Sequence, residues 1–146
     1  MEEERISQDS HMYARLLIGK VRHFMLKARQ KELAPLHVTP EQAFILFILY
    51  NLGHKGTLGE LAKHSGRAIN TISKQLIIME EDGLIKKVRE IRKSNIVMVE
   101  LTEKGIDIFK KSNVLMTDKR ILSVLTEEER QLLILTMKKI LSQEEK

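Results

Sequence analysis

The sequence predicts a mainly α chain with one small β-hairpin, an α+β arrangement, and three observations lead there. The stretch from Thr57 to Leu84 reads as two short helices around a glycine turn. Leu84 to Glu90 and Asn95 to Leu101, directly after it, read as a pair of strands. Both ends of the chain then carry apolar helices that this central unit does not need.

The first helix of the central stretch opens on Thr57-Leu58-Gly59-Glu60. This is a capping box, in which hydroxyl and carboxylate each accept a backbone N–H that the helix start would leave unpaired. Ser65-Gly66 stops it, because glycine tolerates the left-handed conformation of a helix end. A second helix is predicted from about Ala68 to Asp82, with Ile72, Leu76 and Met79 as its buried stripe. Its other side carries Asn70, Thr71, Ser73 and Lys74, with no acid before Glu80, and Gly83 ends it. Two helices around a tight turn, the second with short polar groups and a cation facing out, outline a helix-turn-helix.

The two strands follow the period-2 rule, with Val97, Val99 and Leu101 alternating toward one face. Between Leu84 and Val99 stand five cations (Lys86, Lys87, Arg89, Arg92, Lys93) against the single acid Glu90. A basic ribbon after a recognition-type helix makes the whole a winged helix. Whole-chain charge agrees in sign, +5 over 146 residues, but its placement in the hairpin is more telling than its size. The 42% hydrophobic content suffices for a core. The absence of tryptophan argues against single-strand binding by base stacking.

Glu4 to Leu33 is predicted as one long helix, with Tyr13, Leu16, Leu17, Val21, Phe24 and Ala28 at helical spacings and Gly19 as a point of close approach. Pro35 ends it. Thr39-Pro40-Glu41-Gln42 caps the next helix, whose AFILFILY core predicts a nearly surrounded segment closed by Gly53, with His54 to Thr57 as connector. After the hairpin, Thr102 caps a helix expected to run to about Leu122. Thr126 to Glu129 caps the last, which has a wide apolar face, and the tail from Ser142 is expected to fray. The apolar excess at both ends is most economically covered by a second copy of the chain.

Layout and motifs together resemble the MarR family of bacterial and archaeal transcription regulators. The matching stretches are VTPEQAFIL (Val38 to Leu46), LGELAKHSG (Leu58 to Gly66), NTISKQL (Asn70 to Leu76), EEDGLI (Glu80 to Ile85) and ELTEKG (Glu100 to Gly105). The resemblance implies one domain over 1–146. Its dimerisation helices would be 1–36 and 102–146, around a winged-helix DNA-binding region at 37–101. It implies a homodimer that binds double-stranded DNA at a pseudo-palindromic operator, acts as a repressor in the cytoplasm and takes no cofactor. DNA contacts are expected from Asn70, Thr71, Ser73 and Lys74 in major grooves, and from Arg89, Arg92 and Lys93 in the wing. A small aromatic or amphipathic effector is expected where the first, second and fifth helices meet, with Tyr13, Arg15 and His23 as candidate ligand-binding residues. Two departures stand out. Ala68 occupies the recognition-helix N-cap where the family usually has Asp. Lys93 and Asn95 replace the usual Asp-x-Arg of the wing, so that Arg92 or Lys93 takes the minor-groove role.

Other functions find less support. No nucleophile elbow, phosphate loop or paired-carboxylate pattern suggests an enzyme. His11, His23, His37, His54 and His64 are scattered without metal-ligand spacing, and zero cysteines exclude thiolate zinc sites and thiol sensing. No apolar run approaches a membrane span. The class alternative is a winged helix used as a protein-interaction module, which an acidic recognition face would have favoured.

Overall fold

The computed structural model describes residues 4–5, 8–88 and 97–145. In chain order its elements are helix α1 (Ser10–Leu33), α2 (Pro40–Asn51), strand β1 (Lys55–Thr57), α3 (Leu58–Ser65), α4 (Ile69–Glu81), strands β2 (Ile85–Val88) and β3 (Met98–Leu101), and helices α5 (Glu103–Asn113), α6 (Thr117–Leu122) and α7 (Glu127–Leu141). The architecture is mainly helical with a small antiparallel sheet, the predicted class. Two compact units emerge, Met1–Met25 with Met116–Lys146, and Leu26–Leu115. No single described helix is long and apolar enough to cross a membrane.

Local signals were accurate guides to helix starts. Thr39, Thr57 and Thr126 each form a complete capping box with Gln42, Glu60 and Glu129, all six hydrogen bonds lying between 2.9 and 3.1 Å. The Thr126 backbone N–H, and then its hydroxyl, hold the Glu129 carboxyl below the usual glutamate value. A depressed folded-state pKa stabilises above the unfolded value and is lost as pH falls through the folded one. The α7 cap is therefore expected to open only below the ordinary glutamate range. A carboxyl NMR titration of Glu129 with its midpoint at or above 4.5 would contradict this.

Four elements differ from the sequence expectation. Helix α1 starts at Ser10 rather than Glu4, because the Asp9 carboxylate accepts from the backbone N–H of His11 (3.1 Å) and Met12 (3.2 Å) and so caps a new helix. The predicted fifth helix is two, α5 and α6. The Ser112 carbonyl accepts from Arg29 Nη2 (3.2 Å) and Leu115 N–H (3.3 Å), and the Ser112 hydroxyl bonds the Phe109 carbonyl (2.8 Å). These bonds divert the carbonyl that would have carried the helix on. The supposed connector contains strand β1, which completes a sheet of order β1-β3-β2. The tail forms a 3-10 turn over Ser142–Glu145.

The core of the Leu26–Leu115 unit gathers Ile45, Leu46 and Leu49 of α2 with Leu61, Ile72, Met79 and Val99, all fully buried. Helix α2 is less enclosed than its composition suggests, since Phe44 and Phe47 remain 44% exposed on one side. Val99 and Leu101 face inward as predicted, whereas Val97, just before β3, is exposed and its carbonyl accepts from Leu58 N–H. In the other unit α7 buries none of its residues. Phe24, Leu132 and Leu135 there are each more than 60% exposed.

Candidate nucleic-acid interface

Helices α3 and α4 meet at Gly66, whose positive φ of 67° allows the tight turn after α3. The Ser65 hydroxyl bonds back to the Ala62 carbonyl and accepts from Arg67 N–H, each at 3.2 Å. The Arg67 guanidinium reaches the Glu41 carboxylate at 3.3 Å, tying the turn to the first turn of α2. Helix α4 then begins at Ile69, and Ala68 at its N-cap offers no side-chain hydrogen bond. Its first N–H groups therefore stay open, and a helix N-terminus with open donors suits an anion such as a phosphate.

The stripe of Ile72, Leu76 and Met79 buries one side of α4 and so fixes the other outward. Asn70, Thr71 and Lys74 are exposed and Ser73 is half-buried. Among the described residues none of these four side chains has a hydrogen-bond or ion-pair partner. Amide, hydroxyl and ammonium groups left in water on one helix face can exchange that water for base edges at little desolvation cost.

Helix α4 is closed by a Schellman motif, with Leu84 N–H on the Met79 carbonyl (2.9 Å) and Gly83 N–H on the Glu80 carbonyl (3.0 Å), Gly83 having φ 75°. Three further bonds fasten this corner. The Thr102 hydroxyl donates to the Gly83 carbonyl, Lys104 Nζ donates to the Asp82 carbonyl (2.7 Å), and Lys87 N–H donates to Glu80 Oε2 (3.1 Å). Gly105 lies so close that a Cβ there would sit 2.1 Å from the Leu84 carbonyl oxygen. The EEDGLI and LTEKG stretches are thus two halves of one joint that sets the hairpin's angle to α4.

In the hairpin, Lys86 and Lys87 of β2 are exposed. The register sets Glu100 of the central strand between Lys55 and Lys86, with Lys86 Nζ 4.0 Å from its carboxylate. Lys87 stays uncompensated by any described acid on its side chain. The wing residues Arg89, Arg92 and Lys93 lie outside the described residues.

An open cavity of about 500 Å³ lies between α2 and α5, two of the three helices expected to meet at an effector site. Phe47, Tyr50, Asn51, Phe109, Lys110, Asn113 and Val114 line it. Tyr50 and Phe109 stack with ring centres 4.3 Å apart, and His54 lies against Tyr50 at 4.9 Å. The other candidates, Tyr13, Arg15 and His23, lie on α1 in the other unit, where Arg15 and His23 are exposed. Phe47 and Phe109 are the wall residues that the apolar pattern of the two helices points to, whereas Tyr50 is not singled out by it.

The sequence model of the MarR family matches residues 38–90. No curated protein sequence matches the chain significantly. Similar solved structures include the organohalide-sensing transcriptional regulator RdhR-CbdbA1625 in its 2,4-dichlorophenol-bound form, at TM-score 0.86 and 28% identity over 92% of this chain and 81% of that one. The S. aureus MepR–DNA complex has TM-score 0.79 and 25% identity over 88% and 95% of the two chains. A mutant of MarR from E. coli with operator DNA shares the fold at TM-score 0.78 and 23% identity, over 86% and 91%. The family and these neighbours are transcriptional regulators, not enzymes. The match over residues 38–90 and the shared fold make the chain similar to the MarR-family transcriptional regulators.

Proposed function

We propose that the chain is a cytoplasmic repressor acting as a homodimer on a pseudo-palindromic operator. Two copies of α4 would enter major grooves one helical turn apart, ~34 Å, on the same side of the duplex. The observation that carries this reading is the unpartnered face of Asn70, Thr71, Ser73 and Lys74, held outward by a fully engaged opposite side. Asn70 pairs with adenine and Lys74 with guanine or a phosphate. Arg89, Arg92 and Lys93 supply phosphate and minor-groove contacts. Dimerisation uses 1–36 and 102–146, where Phe24, Leu132 and Leu135 expose apolar surface that a second copy would cover.

The test is a binding series on duplexes selected from a random pool by the purified protein. Asn70→Ala is expected to cost about 1–3 kcal/mol per half-site and to relax base preference there. Equal weakening on selected and random DNA would make Asn70 a backbone contact. Replacing Arg92 and Lys93 together by Ala is expected to lower the salt slope of log K by about 1 per lost phosphate contact, with base preference unchanged.

Release of DNA by a small molecule fits the α2–α5 cavity, whose volume lies within the range of small-ligand sites. Three aromatic rings together with Lys110, Asn51 and Asn113 in the lining suit an aromatic ring bearing an acidic or phenolic oxygen. Such a ligand acts by binding one arrangement of the two α4 helices better than the other. Tenfold release needs about 1.4 kcal/mol of that preference. Titrating phenols and phenolic carboxylates into the protein–DNA complex tests it, and binding without release would sink the regulatory role.

A further inference from the structure

The outward face of α4 does not end with its polar groups. Ile77 and Ile78, on its third turn, are 52% and 43% exposed. Helical geometry sets Asn70, Lys74 and Ile77 at i, i+4 and i+7, one line down the side opposite Ile72, Leu76 and Met79. Ile78 falls about 100° further round. A single exposed isoleucine is ordinary. Here, however, a β-branched residue occupies a solvent-facing position where lysine, glutamine or glutamate would favour the helix more. Burial inside this chain does not compensate it.

We propose that Ile77 is a specificity-determining residue that packs on the C5-methyl group of a thymine in the major groove. This rests on the DNA-binding reading above and deepens it by naming a second base that α4 distinguishes. The C5-methyl is the one apolar feature of the major-groove edge, and it separates thymine from every other base there. Asn70 and Ile77 lie about 10 Å apart along the helix axis, too far for both to reach one base pair. The half-site therefore carries an adenine opposite Asn70 and a separate thymine opposite Ile77, with Lys74 between them. The acids bound this footprint. Glu80 is occupied by the Lys87 N–H, and Glu81 lies one turn beyond Ile77 on the outward face.

The experiment replaces each thymine of the selected duplex in turn by deoxyuridine, which removes only the methyl group, and measures the affinity of the full-length wild type, Ile77→Ala and Ile78→Ala. For wild type, one thymine per half-site is expected to show a loss of about fourfold, the size of one buried methyl. Ile77→Ala should bind the thymine and deoxyuridine duplexes equally, while Ile78→Ala keeps the wild-type response. Both isoleucines are exposed, so thermal unfolding of the variants should match wild type. Wild-type indifference to deoxyuridine at every position, or Ile77→Ala as sensitive as wild type, overturns the proposal while leaving specific DNA binding intact. Absence of any preferred duplex overturns the DNA-binding reading itself, and the role of Ile77 with it.

Discussion

Gly105→Ala is expected to destabilise the chain by about 3 kcal/mol or more, a large part of the roughly 5–15 kcal/mol that holds a domain folded. A Cβ at this position would stand 2.1 Å from the Leu84 carbonyl oxygen and 3.1 Å from its carbon, and both are backbone atoms that cannot rotate away. That oxygen also accepts the Thr102 N–H, so moving it would break the joint between α5 and the end of α4. Gly59→Ala should have the opposite sign. Glycine there sits inside α3 with only the Thr57 hydroxyl near a built Cβ, at 3.9 Å, so alanine gains helix propensity of up to about 1 kcal/mol. Chemical denaturation of the two variants beside wild type checks both. Equal midpoints would mean that the α5 joint yields more readily than its geometry implies.

Leu132→Glu combined with Leu135→Glu is expected to leave monomers and to reduce operator affinity by on the order of a hundredfold or more. Both leucines are exposed on α7, at 65% and 63%, so the single chain loses no buried contact when they become charged. A second copy packed on that face would have to desolvate four unpaired carboxylates, a cost no small interface recovers. Without the partner each half-site binds alone and the gain from linking two recognition helices is lost. Light scattering and DNA titration read the two effects separately. A variant that stays dimeric would move the interface elsewhere, and a monomer with undiminished affinity would remove the need for two half-sites.

What the sequence revealed and what it hid divide by distance along the chain. All three capping boxes, the glycine stops at Gly66 and Gly83 and the buried stripe of α4 depend on residues within one or two turns of each other, and were legible. The break between α5 and α6 turns on Arg29, 83 positions from the Ser112 carbonyl it holds, and no local pattern announces such a bond. Strand β1 escaped notice because three residues with glycine in the middle show no alternation, and only pairing with β3 makes them a strand. The outward polar face of α4 followed from its period. The meeting of the second and fifth helices is expected from the sequence, but the stacking of Tyr50 on Phe109 that shapes the cavity there depends on residues 59 positions apart. Gly105 was recognised as part of a motif, but its necessity lies in the carbonyl of Leu84, visible only once the corner is built.

The stacking of Tyr50 in the cavity wall has an optical consequence. The chain contains no tryptophan and two tyrosines, so its emission on excitation beyond the phenylalanine band comes from Tyr13 and Tyr50 alone. One of these two fluorophores rests against Phe109 in the wall of the cavity, which Lys110 and Asn113 also line. In a Tyr13→Phe protein all tyrosine emission would originate there. An aromatic guest entering the cavity would quench or shift that signal directly, so the molecule carries its own label-free reporter of occupancy.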